Sequence, residues 1–154
     1  MKSIADGVLR LLLTAVHSLL KAGWFVRRPA TQGAHAIALT PDNRIVLVKL
    51  RYAPGWRLPG GGRSENESAA QAALRELREE IGLTSHGDAR PVADIDETVD
   101  FKRDSNSLIL VRDVQYVPRW SWEVEQVCEA RLDALPPDLA PSSARWIESA
   151  RPLL

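Results

Sequence analysis

The 154-residue sequence contains one cysteine, Cys128, so an internal disulfide bond is impossible and a zinc site built from several cysteines is excluded. The three histidines, His17, His35 and His86, are scattered without the spacing of a metal-binding motif. Neither charge sign is in excess, because 20 Lys and Arg residues balance 20 Asp and Glu residues. This neutrality argues against a protein that coats nucleic acid, and we expect no stable nucleic-acid partner. It leaves open a small phosphorylated substrate, for which a few local charges suffice.

The sequence also lacks a long uninterrupted apolar run. The apolar-rich stretch from Ile4 to Leu20 resembles a signal peptide at first sight, but Asp6 and Arg10 interrupt it and no small-x-small cleavage site follows. It is also shorter than the ~20 apolar residues that a membrane-spanning helix needs. We therefore expect a cytoplasmic protein.

Residues 3–22 are predicted to form an amphipathic helix, because their polar residues recur on one helical stripe. The apolar face is too wide for a helix surrounded by water. It can be covered by its own domain, by the same helix in a homodimer, or by a membrane interface. The pairs Trp24-Phe25 and Arg27-Arg28 suit a membrane surface, but the polar stripe carries few cations. Self-packing or a homodimer is therefore preferred to peripheral membrane contact, and residues 1–28 are assigned to this helix and a linker.

After residue 32 the pattern changes to short β-rich runs separated by turn residues. The first two runs, His35–Thr40 and Arg44–Lys49, are joined by a Pro-Asp-Asn turn. A hairpin turn is predicted at Asp104-Ser105-Asn106. Further strands are predicted at Trp56–Leu58, Val92–Thr98, Ser107–Tyr116 and Val124–Arg131, and a closing helix at Ser142–Ala150. Interleaved helices and hairpins predict an α+β fold with a mixed sheet rather than a doubly wound fold.

One helix carries a cluster of carboxylates. The helix is predicted over Ser64–Ile81, with Ser64 or Asn66 as its N-cap. Glu76, Glu79 and Glu80 follow the i, i+3, i+4 spacing that places side chains on one helical face. Clustered oxygen ligands suit Mg²⁺ or Mn²⁺, and the neighbouring glycine loop, Pro59-Gly60-Gly61-Gly62, can approach the same ion.

The spacing by itself leaves a second interpretation open. The three carboxylates can equally form a solvated acidic face that is neutralised by Arg75 and Arg78.

The segment from Gly61 to Leu83 resembles the Nudix box. That motif is a glycine, five residues, Glu, seven residues, then Arg-Glu-apolar-x-Glu-Glu-x-Gly-apolar. The chain supplies every position without departure: Gly61, Glu67, Arg75, Glu76, Leu77, Glu79, Glu80, Gly82 and Leu83.

The resemblance implies roles for the residues of the box. Glu79 and Glu80 would be metal ligands, and Glu76 would be a ligand or the base that activates water. The carbonyl of Gly60, just before the box, would be a further ligand.

The resemblance also implies that Glu67 and Arg75 form an ion pair that braces the loop against the helix.

The resemblance further implies a fold and a reaction. The implied fold is an α/β/α sandwich around a mixed sheet over residues 29–154, with the N-terminal helix as an addition. The implied activity is metal-dependent hydrolysis of a diphosphate linkage, with Mg²⁺ or Mn²⁺ as cofactor. The alternative is a catalytically silent Nudix-fold module that binds a ligand for regulation, although such modules usually lose box carboxylates.

The substrate stays open at this point. Members similar to the ADP-ribose type carry a proline 15–16 residues past the box, where this chain has Thr98 and Val99. Members of the dinucleoside polyphosphate type carry a tyrosine 17–18 residues past it, where this chain has Asp100 and Phe101. The family implies a nucleoside diphosphate linked to another group.

The residues that lead into the box are candidates for substrate binding. Trp56 or Tyr52 could stack on a base, and Arg51 or Arg57 could bind phosphate. The alternative for Trp56 is that it packs beneath the loop as a structural residue.

Glu123 is a further candidate, because several Nudix enzymes place an additional glutamate on the loop before the last strand. It would complete a second metal site or act as a base once substrate is bound. The alternative is a solvated loop acid, and Glu125 is considered beside it because the alignment can shift by two residues.

Overall fold

The computed structural model describes residues 4–27, 30–99 and 102–154. Along these residues the elements follow one another as α1 (Ile4–Arg27), β1 (Ala30–Ala38), β2 (Arg44–Leu50), β3 (Trp56–Arg57), β4 (Gly60–Gly62), α2 (Ala69–Glu80), β5 (Leu83–Ser85), β6 (Ala89–Val99), β7 (Lys102–Val111), β8 (Gln115–Tyr116), β9 (Val124–Arg131), α3 (Pro141–Ala150) and a closing 3-10 turn (Arg151–Leu153).

The largest sheet is mixed and places the glycine loop beside a central strand. Its strand order is β4-β1-β7-β6, with β1 parallel to β7 and antiparallel to β4. A second sheet has the order β3-β2-β9, and β5 pairs with β8. The register of β1 and β4 sets His35 opposite Gly60, which brings a residue from before the box against the loop.

Successive residues of the strands alternate between two apolar cores. In β2, Val46 packs on the side of Leu77 from α2, whereas Leu47 packs on the side of Ile147 from α3. This two-residue alternation is what a sheet covered on both faces requires. The predicted α+β sandwich with a mixed sheet and an additional N-terminal helix is therefore confirmed.

Two boundaries around the first strand differ from the sequence prediction. Helix α1 continues to Arg27, beyond the helix predicted over residues 3–22, and β1 begins at Ala30, before the strand predicted from His35. The strand is longer because its backbone pairs with β7 as far back as Ala30.

The predicted hairpin turn at residues 104–106 is wrong, because these residues lie inside β7. Their backbones pair with β1, and Asn106 is buried. Tertiary pairing has overridden the local turn preference of Asp, Ser and Asn. The connection between β6 and β7 falls outside the described residues.

The carboxylate-bearing helix starts later than predicted, at Ala69, and its N-cap is Ser68 rather than Ser64 or Asn66. The Ser68 hydroxyl accepts from the Gln71 N–H at 3.1 Å, and the Gln71 side chain accepts from the Ser68 N–H at 2.8 Å. This reciprocal capping box satisfies two backbone donors at once, which a single cap cannot do.

Helix α1 turns much of its apolar surface away from the rest of the molecule. Val8, Leu12 and Leu19 are 54%, 58% and 73% exposed. Leu13 and His17 are partly buried. At 100° per residue, His17 lies on the face opposite Val8 and Leu19. The exposed face is therefore not covered by the chain's own domain. Among the described residues, no helix combines the length and the apolar character needed to cross a bilayer.

Candidate active site

The glycine loop is held against β1 so closely that one of its positions has no room for a side chain. Gly60 has φ +150°, and a Cβ atom there would lie 2.4 Å from the Ala34 carbonyl oxygen and 2.6 Å from the His35 Cα. The Gly60 N–H donates to the Glu80 carboxylate at 2.9 Å. The loop therefore fixes the position of a carboxylate at the end of α2.

Helix α2 is followed by a second position that has no room for a side chain, Gly82. Gly82 has φ +76°, and a Cβ atom there would lie 2.1 Å from the Val117 carbonyl oxygen. The Val117 N–H donates to the Gly82 carbonyl at 3.0 Å. The chain before β9 is thereby joined to the end of the box.

The three box carboxylates differ in burial. Glu80 is 7% exposed, and the Glu76 and Glu79 side chains are 13% and 58% exposed. Burial raises the pKa of Glu80 to about 8, the Gly60 N–H opposes that rise, and the charges of Glu76 and Glu123 add to it. Burial also raises the pKa of Glu76, against the lowering effect of Arg75. A cation near Glu80 would favour its charged form.

Glu67 and Arg75 connect the loop to the helix. The Arg75 guanidinium donates to both carboxylate oxygens of Glu67, at 2.9 and 3.1 Å, and to the Gly62 carbonyl at 2.8 Å. It also donates to Glu76 at 2.7 Å. Such a fork is geometry that lysine cannot reproduce. The contacts match the bracing ion pair that the family resemblance implied.

A cavity of about 570 Å³ opens over these carboxylates, and we name it the carboxylate cavity. It is lined by Tyr52, Gly60, Gly61, Gly62, Glu76, Glu79, Glu80, Arg119, Trp120, Ser121, Trp122 and Glu123. The structure thus brings Glu123 beside the box carboxylates, although 43 residues separate it from Glu80 in the sequence. Trp120 and Trp122 form an exposed edge-to-face pair at its rim, with ring centroids 4.5 Å apart.

A second cavity of about 460 Å³, the inner cavity, adjoins the first and shares Tyr52, Gly60 and Glu80 with it. Aromatic side chains that line it come from separate elements: His17, His35, Tyr52 and Trp146. The rings of His35 and Trp146 are 4.7 Å apart. Burial lowers the pKa of His35 to about 4, so this imidazole is neutral near pH 7.

Sequence reasoning did not identify His17, His35 or Trp146 as site residues. No local motif marks them, since each reaches the cavity through tertiary packing. His35 reaches the site because its strand pairs with the glycine loop. The sequence alone does not show that pairing.

The candidate substrate-binding residues are separated by the structure. Arg57 lines the inner cavity. Arg51 and Trp56 line neither of the two cavities. Trp56 packs against the α3-side core and lies 5.5 Å from the Lys49 ammonium, while the Arg51 N–H donates to the Glu123 carbonyl at 2.8 Å. Trp56 thus packs against apolar residues of this core, and its stacking on a base stays a prediction.

A wider groove of about 1010 Å³ lies on the other side of the glycine loop, between Gln32, Arg63, Asp96 and Asp104. None of the α2 carboxylates lines this groove, so its size alone does not mark it as the site of chemistry.

Within the described part of the chain, no group of three or more His, Cys, Asp or Glu side chains is already arranged to hold a metal ion. The Arg75 Nη1 atom contacts both the Glu76 carboxylate, at 2.7 Å, and the Glu79 carboxylate, at 3.5 Å. The donors are all hard oxygen atoms, the set that Mg²⁺ and Mn²⁺ prefer. Their chemistry therefore fits a divalent cation.

Comparison with curated proteins finds short stretches of high identity. The chain is 50% identical over 55 residues to a Bacillus subtilis (strain 168) protein named "Putative 8-oxo-dGTP diphosphatase", over 36% of this chain and 37% of that protein. It is 40% identical over 47 residues to an RNA pyrophosphohydrolase of Hydrogenovibrio crunogenus (strain DSM 25203 / XCL-2), over 30% of this chain and 28% of that protein. The matched stretches thus span about a third of these relatives' lengths.

Among solved structures, the chain is similar to a MutT NUDIX hydrolase from Burkholderia pseudomallei. The TM-score is 0.67 at 27% identity, and the match covers 79% of this chain and 97% of that one. A MutT protein from Methanosarcina mazei Go1 has a TM-score of 0.65 at 20% identity, over 82% and 96% of the two chains. The family model of the NUDIX domain matches residues 29–150, which include the glycine loop, α2 and Glu123. The chain therefore belongs to the Nudix family.

Proposed function

We propose that this protein is a hydrolase that uses Mg²⁺ or Mn²⁺ to cleave a diphosphate linkage, in a nucleoside diphosphate joined to another group. The observation that carries the proposal is the buried Glu80 carboxylate, which is fixed by the Gly60 N–H at 2.9 Å and surrounded by other carboxylates. An ionised carboxylate that is buried among like charges is unfavourable unless a cation joins it.

The residues that would hold the ion are Glu76, Glu79, Glu80 and the Gly60 carbonyl. A bound divalent cation would neutralise diphosphate oxygens and lower the pKa of the attacking water. Glu76 or Glu123 would accept the proton of that water while the bond to the bridging oxygen breaks. Arg75 would keep the loop against the helix and hold Glu76 in reach. No covalent intermediate is needed.

The experiment that tests this function is a chromatographic screen for hydrolysis products in Mg²⁺ and Mn²⁺, with a parallel series in excess chelator. The panel should contain 8-oxo-dGTP and RNA, because the relatives' names contain those substrates. It should also contain nucleotide sugars, dinucleotides and unmodified (d)NTPs. Metal-dependent hydrolysis identifies an enzyme, whereas binding without hydrolysis would favour the catalytically silent regulatory module.

Glu123→Gln is expected to lower kcat/KM by about 10-fold or more, because general-base and ligand roles are each worth at least that factor. The Tyr52 hydroxyl donates to Glu123 at 3.4 Å, which keeps this carboxylate at the edge shared by both cavities. Glu125→Gln is the matched control, since Glu125 lies two residues away and does not line the carboxylate cavity. Equal kcat/KM for Glu123→Gln and the wild type would show that Glu123 is a solvated loop acid.

We also propose that α1 joins two copies of the chain in the cytoplasm. Its outward face carries Leu11 and Leu19, which are 75% and 73% exposed, beside Val8, Leu12 and Val16.

The full-length protein is expected to sediment as a dimer and a truncated chain starting at Pro29 as a monomer, because burying this face stabilises association. Analytical ultracentrifugation measures the difference. If the full-length and the truncated protein both sediment as monomers, the dimer is contradicted. Co-sedimentation of the full-length protein with anionic vesicles would instead favour contact of α1 with a membrane surface.

A further inference from the structure

The two cavities meet where the proposed chemistry occurs. Tyr52, Gly60 and Glu80 belong to the walls of both. A diphosphate bound at the α2 carboxylates therefore has the inner cavity next to one of its ends. The 460 Å³ of that cavity falls within the range of about 300–1000 Å³ typical of small-molecule sites.

The walls of the inner cavity suit a flat, uncharged group better than a second phosphate. The His35 ring lies 4.7 Å from the Trp146 ring at a tilt of 51°, and burial keeps its imidazole neutral near pH 7. The carboxylates of Glu97 and Asp104 also line the cavity and would repel an anion, while Arg57 supplies one cation. Aromatic faces together with polar groups are the surroundings in which a nucleobase stacks and forms hydrogen bonds.

One wall of this cavity comes from outside the family domain. The NUDIX match begins at residue 29, yet His17 of α1 lines the inner cavity. Its imidazole lies 5.4 Å from the Tyr52 ring, centroid to centroid, in a tilted arrangement. Tyr52 in turn donates to Glu123 at 3.4 Å. His17 thus brings a residue of α1 into the lining of the cavity, beside Tyr52.

We propose that α1 completes the substrate site and that His17 is a specificity-determining residue, whose ring contacts the nucleobase of the bound nucleotide. This inference rests on the proposed function, because it places the diphosphate of the substrate at the box carboxylates. It assigns α1 two opposite faces, with His17 toward the substrate and Val8 and Leu19 away from it.

The test measures binding of three probes of similar charge to the full-length protein in Mg²⁺: AMP, GMP and ribose 5-phosphate. The last probe lacks the base, so any difference in Kd reports on base recognition. Trp146 lines the cavity and provides a fluorescence signal, which isothermal titration can cross-check. We expect at least one nucleotide to bind about 10-fold more tightly than ribose 5-phosphate, as stacking between a base and aromatic rings predicts.

His17→Ala is expected to remove most of that difference while the Kd of ribose 5-phosphate stays unchanged. His17→Phe keeps a ring and should retain most of it. Ser18→Ala is the matched control, since Ser18 is exposed, adjacent to His17, and absent from the cavity wall. Circular dichroism checks that each variant stays helical.

Three results would overturn the inference. They are equal Kd values for the nucleotides and ribose 5-phosphate in the wild type, unchanged nucleotide binding in His17→Ala, or an equal loss for all three probes in that variant. The hydrolysis screen is read separately. Base-dependent binding without any metal-dependent hydrolysis would reject the proposed function and leave the base contact standing.

Discussion

Glu80→Gln is expected to lower kcat by about 10³-fold while the protein stays folded, because a lost ligand charge weakens stabilisation of the transition state. The amide oxygen of glutamine can still accept the Gly60 N–H that Glu80 accepts at 2.9 Å. The position of the side chain is therefore kept and its charge removed. Steady-state hydrolysis at saturating Mg²⁺ measures the change. The same loss is expected for the wild type in excess chelator.

The same substitution is expected to stabilise the metal-free protein at high pH. The pKa of Glu80 is raised to about 8 from an ordinary value of 4.5. The folded state therefore keeps a proton that the unfolded state has already released, so the free energy of unfolding falls as pH rises from about 4.5 to about 8. Glutamine is neutral throughout and escapes this loss.

Thermal denaturation in chelator at pH 5 and pH 8.5 measures the effect. The Tm advantage of Glu80→Gln over the wild type should be larger at pH 8.5, with about 2–4 °C for each kcal/mol gained in a chain of this length. Glu65→Gln is the control, because Glu65 is exposed in the loop before α2. If Glu80→Gln keeps full activity in Mg²⁺, Glu80 has no part in catalysis. An equal Tm advantage at both pH values would contradict the burial of a titrating carboxylate.

Gly60→Ala is expected to lower both stability and activity, whereas Gly62→Ala is tolerated. A methyl group on Gly60 would lie 2.4 Å from the Ala34 carbonyl oxygen, and only the glycine loop or β1 can move to relieve that contact. At Gly62, no atom lies within 4 Å of the added carbon. The two substitutions change the same residue type in one strand, so their difference isolates the close approach.

The size of the Gly60 effect follows from backbone strain and the clash together. A non-glycine residue in a rare backbone conformation costs about 1–3 kcal/mol, which corresponds to a Tm fall of about 2–12 °C. The contact with Ala34 adds to this. Activity falls as well, since the displaced Gly60 N–H no longer positions Glu80. Calorimetry and hydrolysis assays check both. Equal Tm values for Gly60→Ala and Gly62→Ala would show that the loop moves freely away from β1.

Helix α2 shows how far sequence reasoning reaches. Its helical period set Glu76, Glu79 and Glu80 on one face, and the structure has all three lining one cavity. Its start was placed too early, because Ser64 and Asn66 are also good capping residues. The choice of Ser68 depends on a reciprocal pair with Gln71 that satisfies two donors.

Residues brought together from different elements show where that reasoning stops. Asp104 and Asn106 have turn preferences, but pairing with β1 puts them in a strand. Trp56 and Arg57 are neighbours in the sequence, yet Trp56 packs against the α3-side core and Arg57 lines the inner cavity, because successive strand residues point to opposite sides.

The sequence by itself determined the box helix, the carboxylate face and the glycine positions, because each depends on contacts within a few residues of the chain. Tertiary structure alone decided that His35 lies opposite Gly60, that Glu123 joins the α2 carboxylates and that His17 lines the inner cavity. His35 and Gly60 are 25 positions apart and Glu76 and Glu123 are 47 apart, and these contacts form only when strand pairing and helix packing bring the segments together. A local sequence pattern does not show which distant residues come into contact, so the residues that line the site were identified only from the fold.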